Sequence, residues 1–342
     1  FPGAPDEHKA GALRVGLARA RGEAIALFDA DFEPPPDFLR RALARLAPDV
    51  ACVQARWTSA NEGASWLTRA VALGLDAHFV VEQESRARQG SLLSFSGTAC
   101  VWRREAIERS GGWSGRTLAE DVDLSARALL AGWRFVHLDE LRVPQEVPST
   151  MRAFRAQQAR WARGSMQCAR LHAGAALRAR SLQPAVRAET LFHLTHYAVH
   201  PLLLALFLLQ LAAPWTPRPP AALTIALFAP AILAPLALFA LAAARGGGAR
   251  RLASLPALAL VGLGLSWSNT RAVALGLAGA RGAFERTPKS GEPRRASGVP
   301  RPVELALGLA GVAGAALLAP AWWPAAACAA FGAGFLLVAL WP

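Results

Sequence analysis

The sequence predicts two regimes in one chain: a water-exposed α/β domain, then an α-helical transmembrane bundle. Charge falls away near residue 188, short apolar runs punctuate the first half, and long apolar stretches dominate the second. Hydrophobic residues make up 53% of the 342 and charged residues 18%, too apolar a balance for an ordinary soluble enzyme. The formal charge of +13 points to anionic partners: nucleic acid, lipid headgroups or phosphorylated substrates. Four separated cysteines with no CxxC pair indicate neither a zinc site nor a disulfide framework. The chain starts at Phe1 without an initiator Met, so an upstream segment is expected to be missing.

In the first half, residues 24–28 (AIALF) and 50–55 are short apolar runs that suit buried parallel strands. Asp37 can cap a helix running to about residue 46, with prolines 34–36 setting its entry. Residues 104–110 predict a helix stopped by Gly111 and Gly112, and 134–138 a third strand. This domain is expected to span 1–148.

Residues 149–188 form a basic linker. From 147 to 188 there are eight arginines and no carboxylate, and Met151, Phe154, Trp161 and Cys168 recur at helical spacing. That pattern predicts an amphipathic helix on an anionic membrane surface; the alternative is a solvated basic helix packed on the α/β domain. No recognised nucleic-acid-binding motif accompanies the arginines, so nucleic acid is not expected as a partner.

Residues 189–342 form the expected membrane region. Stretches 191–213, 221–244, 303–318 and 322–340 are each read as spans, the last two as a hairpin with Trp322 and Trp323 at headgroup level. Basic residues flank 252–280 on both sides, which places both flanks in the cytoplasm. That stretch is expected to be interfacial or re-entrant; a fifth span is the alternative. His193, His196 and His200 share one face of the first span, as channel lining or as satisfied histidines near the interface.

Three motifs carry chemistry. Asp29 and Asp31 follow the first strand directly, at the sheet edge where open α/β folds bind ligands, and their hard oxygens suit Mg²⁺ or Mn²⁺ bridging a diphosphate. Solvated loop acids are the bland reading. Glu120-Asp121 opens a helix, either as favourable dipole placement or as a general base for an acceptor hydroxyl. Gln157, Arg160 and Trp161 lie at i, i+3 and i+4, so amide, guanidinium and indole share a face suited to a sugar-diphosphate, or simply anchor a surface helix.

In that order (DxD, ED, QxxRW, then apolar helices) the chain resembles the processive family-2 glycosyltransferases, which include cellulose, chitin and hyaluronan synthases. Residues 8–13 (HKAGAL) resemble the donor-binding KAG segment. Residues 53–57 (VQARW), 76–83 (DAHFVVEQ) and 95–103 (FSGTACVWR) are similar to the cellulose-synthase-like A branch, which makes mannans and glucomannans. Residues 284–289 (FERTPK) resemble the FxVTxK gating loop, with Arg286 in place of Val.

The resemblance implies a GT-A-type, Rossmann-like domain, truncated at its N-terminus, and a role for each matching residue. Asp121 is then the catalytic base. Lys9, Asp29, Asp31, Gln157 and Arg160 bind the donor, with the metal on Asp29 and Asp31. Gly97, Thr98 and Trp161 meet the acceptor. Phe284, Thr287 and Lys289, within a loop at 281–300, close over the donor. Ala119 departs from the family's frequent Thr. The strands that carry the nucleotide-binding acid are absent, which predicts a catalytically incomplete fragment. The implied activity is inverting polymerisation of a β-linked glucan, mannan or glucomannan from UDP-glucose or GDP-mannose, the product entering a transmembrane channel. Single-sugar transfer to a membrane lipid, or a non-enzymatic transporter or scaffold, are the alternatives.

Overall fold

The computed structural model describes residues 8–212, 221–246, 248–280, 301–319 and 322–341. Helix α1 (His8–Arg19) precedes strand β1 (Ala24–Leu27), followed by α2 (Phe38–Leu43) and β2 (Val50–Ser59). Helix α3 (Trp66–Asp76) runs through a π-helical stretch (Ala77–Gln83) into α4 (Glu84–Gln89). Then come β3 (Cys100–Arg103), α5 (Arg104–Arg109), α6 (Glu120–Leu130), β4 (Arg134–Gln145) and the 28-residue α7 (Met151–Arg178).

The four strands form one mixed sheet in the order β1-β3-β2-β4. β3 is antiparallel to both β1 and β2, while β2 and β4 are parallel. β1, β2 and β4 therefore share a direction, and only β3 runs against them. The expectation of uniformly parallel buried strands is corrected here: β1 is an edge strand, partly exposed, and its neighbour is the reversed β3. At four residues β3 is too short to announce itself by periodicity. Its reversal matters, because the segment entering β3 meets the edge from which β1 leaves.

Alternation divides the core into two layers. Cys52, Cys100 and Trp102 face a cluster with Phe95, Trp113, Phe135 and Leu124, against which α7 packs. Val53, Ala55 and Val101 face the opposite layer with Phe38 and Ala42 of α2. Trp102 meets Phe95, Trp113 and Phe135 at centroid distances of 5.5, 6.2 and 5.9 Å, filling the first layer with edge-on rings. Asp37 does stand at the start of α2, but its side chain makes no capping bond. It lies 3.6 Å from Arg40 and 3.8 Å from Arg41 instead.

A buried ion network ties this domain to the apolar half. Arg56, 1% exposed, donates to Asp76 at 2.7 Å and to Asp139 at 3.1 Å. Arg251 also reaches Asp76, and Glu62 as well. Replacing Arg56 with Met would strand a buried carboxylate. Breaking such a pair costs about 3–5 kcal/mol, and Arg251 keeps the expected loss near the lower bound. A denaturant midpoint for Arg56→Met within error of wild type would refute this.

The remaining helices are α8 (Pro184–Thr195), α9 (Val199–Ala212), α10 (Ala221–Gly246), α11 (Leu255–Gly264), α12 (Ser266–Leu277), α13 (Pro302–Leu317) and α14 (Trp322–Leu340). The apolar face of α7 turns inward: Met151, Phe154 and Cys168 are buried, the first two against Val261, Leu265 and Val338. α13 and α14 pair as a hairpin, so close at Gly311 and Gly332 that a Cβ on Gly311 would sit 2.6 Å from the Gly332 Cα.

Among the described residues one helical run, Pro184–Ala212, is long and apolar enough to cross a membrane. A second qualifies if Arg250–Gly264 and Ser266–Leu277, bent by 50°, count together. Pro302–Leu317 and Pro324–Leu340 are apolar but shorter. Helices α10, α13 and α14 coincide with the expected stretches 221–244, 303–318 and 322–340, and the 50° bend falls within the stretch expected to be interfacial or re-entrant. Residues 213–220 and 281–300, including the expected gating residues Phe284, Thr287 and Lys289, lie outside the described residues, as do the side chains of Trp322 and Trp323.

Candidate active site

The site assembles at the edge where β1 ends and β3 begins. Asp29 lies two residues beyond β1. Its backbone N–H donates to Thr98 Oγ1 at 2.7 Å, which ties the DxD turn to the loop entering β3. Lys9, from α1, donates to Asp29 Oδ1 at 2.8 Å and to the Gly97 carbonyl at 2.9 Å. Asp31 stands two residues further along the turn, partly buried.

Gly97 has φ +85°, a left-handed conformation that favours glycine. A Cβ there would lie 3.2 Å from Asp121 Oδ2 and 3.4 Å from Lys9 Nζ. Asp121 therefore presses on the same loop that Lys9 and Asp29 hold. Three regions far apart in sequence meet within one cluster: residues 9 and 29, residues 97–98 and residue 121.

Two buried glutamines shape the loop. Gln54 accepts from the Ser96 N–H at 3.1 Å and donates to the carbonyls of Thr98 and Ala99, each at 3.1 Å. Gln83 donates to the Ser94 carbonyl at 2.7 Å. These contacts satisfy backbone groups of a buried irregular segment, where Ala99 sits at φ +53°. Ser125 Oγ accepts from the Phe95 N–H at 3.0 Å and donates to the Asp121 carbonyl at 2.8 Å, bridging loop and α6.

α6 starts with three acids: Glu120, Asp121 and Asp123. The Asp121 carboxylate accepts from the Val122 N–H at 2.8 Å. Asp123 is wholly buried and clamped by Arg127 at 2.6 Å and by His172 of α7 at 2.8 Å. α7 also approaches at Gly164, where a Cβ would lie 2.7 Å from the Ala119 Cβ. Gln167 Oε1 takes the Leu118 N–H at 2.8 Å. The helix carrying Gln157, Arg160 and Trp161 is thus locked to the segment carrying the acidic pair.

Electrostatics link the same groups. Burial draws the Lys9 pKa down, but Asp29, Glu120 and Asp121 outweigh it and leave the value raised. Burial lowers Arg160 against the pull of Asp121, Glu120 and Asp29, which places its guanidinium within their field. Burial raises Asp121, and burial together with the neighbouring Asp121 lifts Glu120 to about 7. Trp161 remains 37% exposed on the face beside Arg160. Gln157 is partly buried one turn earlier.

The electrostatic coupling of Glu120 to Asp121 has a measurable consequence. Two adjacent acids titrate as a pair, so the acid limb of kcat/KM is expected above the ordinary carboxylate range, with activity rising as the pair ionises. Glu120→Gln removes a neighbouring negative charge and should move that limb to lower pH. The stability sign follows. A carboxyl raised in the fold binds its proton more tightly there, so its contribution is present at low pH and lost as pH rises from its unfolded value toward about 7. The Tm difference between Glu120→Gln and wild type should therefore grow in favour of the variant over that window. A limb and a difference independent of pH would refute the pairing.

The site residues that sequence reasoning missed lie around those it found. Gln54 and Gln83 lie in residues 53–57 and 76–83, whose local pattern does not tie them to the site. Asp123 carried a signal in its i+4 partner Arg127. Gly164 carried another, since it is a mid-helix glycine sharing the face of Arg160 and Trp161.

A family model described as "Glycosyl transferase family group 2" matches residues 24–243. The chain is 49% identical over 162 residues to Glucomannan 4-beta-mannosyltransferase 2 of Arabidopsis thaliana, covering 46% of this chain and 30% of that protein. It is 48% identical over 162 residues to Glucomannan 4-beta-mannosyltransferase 1 of Oryza sativa subsp. japonica, covering 46% and 31%. The chain thus spans about a third of the length of the curated relatives it matches. Among solved structures, the mannosyltransferase PcManGT from Pyrobaculum calidifontis, in complex with GDP-Man and Mn2+, aligns with a TM-score of 0.46 and 22% identity, over 79% of this chain and 66% of that one.

Proposed function

The chain belongs to glycosyl transferase family group 2, and from that premise we propose that it is the catalytic and membrane portion of an enzyme that polymerises a β-linked mannan or glucomannan from a nucleotide-sugar at a membrane, inverting the anomeric carbon. The observation that carries this is the contact cluster of Asp121, Gly97, Lys9 and Asp29. It sets a carboxylate base against an open backbone position and puts a cation beside it. The names of the relatives favour mannose as the sugar; GDP-mannose and UDP-glucose are the candidate donors.

Asp121 takes the proton from an acceptor hydroxyl as that oxygen attacks the anomeric carbon. Gly97 leaves room for the hydroxyl, because any side chain there would crowd the carboxylate. Attack opposite the leaving diphosphate turns an α-linked donor into a β-glycoside. Lys9 and Arg160 are the cations placed to offset charge developing on the diphosphate. Trp161 offers a flat, partly exposed ring to the acceptor sugar, and Gln157 an amide on the same face.

Asp29 and Asp31 fit a divalent cation. Both supply hard oxygens from one turn beyond β1. That suits Mg²⁺ or Mn²⁺, which keep water and substrate phosphates as ligands. When bound, such an ion supplies Lewis-acid neutralisation of the diphosphate.

Membrane residence is supported by Phe192, Leu202, Leu208 and Leu209 on α8 and α9, and by Leu309, Val312 and Leu317 on α13, all exposed large apolar side chains. The catalytic domain is then cytoplasmic, with the growing glycan leaving through the apolar helices. The test incubates membranes bearing the protein at its full natural length with labelled GDP-mannose or UDP-glucose. A polymer digestible by a β-mannanase or β-glucanase is expected. A single chloroform-soluble product would replace polymer synthesis with glycolipid synthesis, and absence of transfer from either donor would overturn the reading.

A further inference from the structure

A cavity of about 690 Å³ opens at the sheet edge opposite β1, between β4, α4 and the end of α10, away from the catalytic cluster. Its charged lining comprises Arg45, Glu84, Arg88, Asp139, Glu140 and Arg245. Three of these are already matched. Arg88 pairs with Glu84 at 2.6 Å, and Asp139 with Arg56 at 3.1 Å. Among the described residues no ion pair involves Arg45, Arg245 or Glu140. His137 lines the same cavity, and burial lowers its pKa, so it adds no charge near neutral pH. What remains is two unmatched guanidinium groups and one unmatched carboxylate.

We propose that this cavity binds the headgroup of a phosphoethanolamine phospholipid, with the acyl chains lying along α10. The proposal rests on the membrane reading above. A phosphodiester answers the two arginines, which suit phosphate oxygens. A primary ammonium answers Glu140 with N–H donors. The volume lies within the range of small-molecule sites, roughly 300–1,000 Å³. α10 supplies the apolar track. Leu233, Ala237, Leu241 and Arg245 recur every fourth residue and so line one side of the helix. Leu233 and Leu241 are exposed, and Arg245 is at the cavity. The stripe runs from bare leucines to a cation, the order a lipid presents from tail to phosphate.

The charge pattern discriminates between headgroups. A choline headgroup carries no N–H for Glu140, and a glycerol headgroup brings no cation at all. The experiment reconstitutes the chain into nanodiscs holding equal parts of phosphatidylethanolamine, phosphatidylcholine and phosphatidylglycerol, then identifies retained lipid by native mass spectrometry. Wild type should retain one phosphatidylethanolamine severalfold over the others. Arg45→Gln with Arg245→Gln should lose that retention, and Glu140→Gln should lose the preference over phosphatidylglycerol. A photoactivatable acyl chain on phosphatidylethanolamine should label the α10 peptide, a result that needs no variant to fold. Insertion without headgroup preference, or label spread evenly over all apolar helices, overturns this proposal and leaves the membrane reading standing. Failure to insert at all overturns both.

Discussion

Asp121→Asn is expected to lower kcat for sugar transfer by about 10²–10⁴-fold, the usual contribution of a positioned general base. The substitution is nearly isosteric. Its side-chain oxygen can still accept from the Val122 N–H, so the first turn of α6 should keep its form. What disappears is the capacity to take a proton. Lys9 also loses one of the charges that hold its pKa up, though Asp29 and Glu120 remain. Donor affinity should therefore change little, while turnover collapses. Initial rates at saturating donor, together with nucleotide binding by calorimetry, separate the two effects. Unchanged transfer would defeat the assignment of Asp121 as base. A parallel collapse of nucleotide binding would instead assign Asp121 to donor binding.

The parts of this arrangement that were legible in sequence were those carried by local pattern. The run AIALF ended in two acids, so placing Asp29 at a sheet edge needed only the strand and its exit. Glu120 and Asp121 opened a helix with Gly111 and Gly112 upstream, and α6 begins at Glu120. The spacing of Gln157, Arg160 and Trp161 fixed their shared face once α7 was recognised. What pattern could not reveal was which distant segments touch. The approach of Gly97 to Asp121 depends on β3 running antiparallel between β1 and β2, and a four-residue strand has no periodicity to read. Gln54 and Gln83 are buried amides whose partners are loop backbone groups, and nothing in their own neighbourhoods announces those partners. In the apolar half, hydropathy identified which segments avoid water. It did not locate the 50° bend between Arg250–Gly264 and Ser266–Leu277, because a bend between two apolar helices leaves no mark in mean hydropathy.

Gly164→Ala should impair catalysis far more than it destabilises the fold. A methyl group at this position would lie 2.7 Å from the Ala119 Cβ, 2.9 Å from the Ala119 nitrogen and 3.1 Å from the Leu118 carbonyl carbon. Two of those three atoms are backbone, so no flexible side chain can yield to relieve the contact. Overpacking of this kind costs about 1–3 kcal/mol. Alanine returns about 1 kcal/mol of helix propensity relative to glycine, so the net loss should stay below about 2 kcal/mol. Displacement is the larger effect. Arg160 sits one turn away on the same helix, and residues 118–119 lead directly into Glu120 and Asp121. Pushing the two apart moves Arg160, the cation proposed to face the diphosphate, away from Asp121, the proposed base. A misplacement of about 1 Å can cost on the order of 10²-fold in rate. The expected signature is a 10- to 100-fold fall in kcat/KM by that argument, with a raised donor KM and a small shift in denaturant midpoint. The same clash explains why position 119 holds a residue as small as Ala: its side chain already faces the helix backbone at the closest point of the packing. Wild-type kinetics in Gly164→Ala would show that α7 can withdraw without moving Arg160, and the coupling of the two segments would fail as an account of the site.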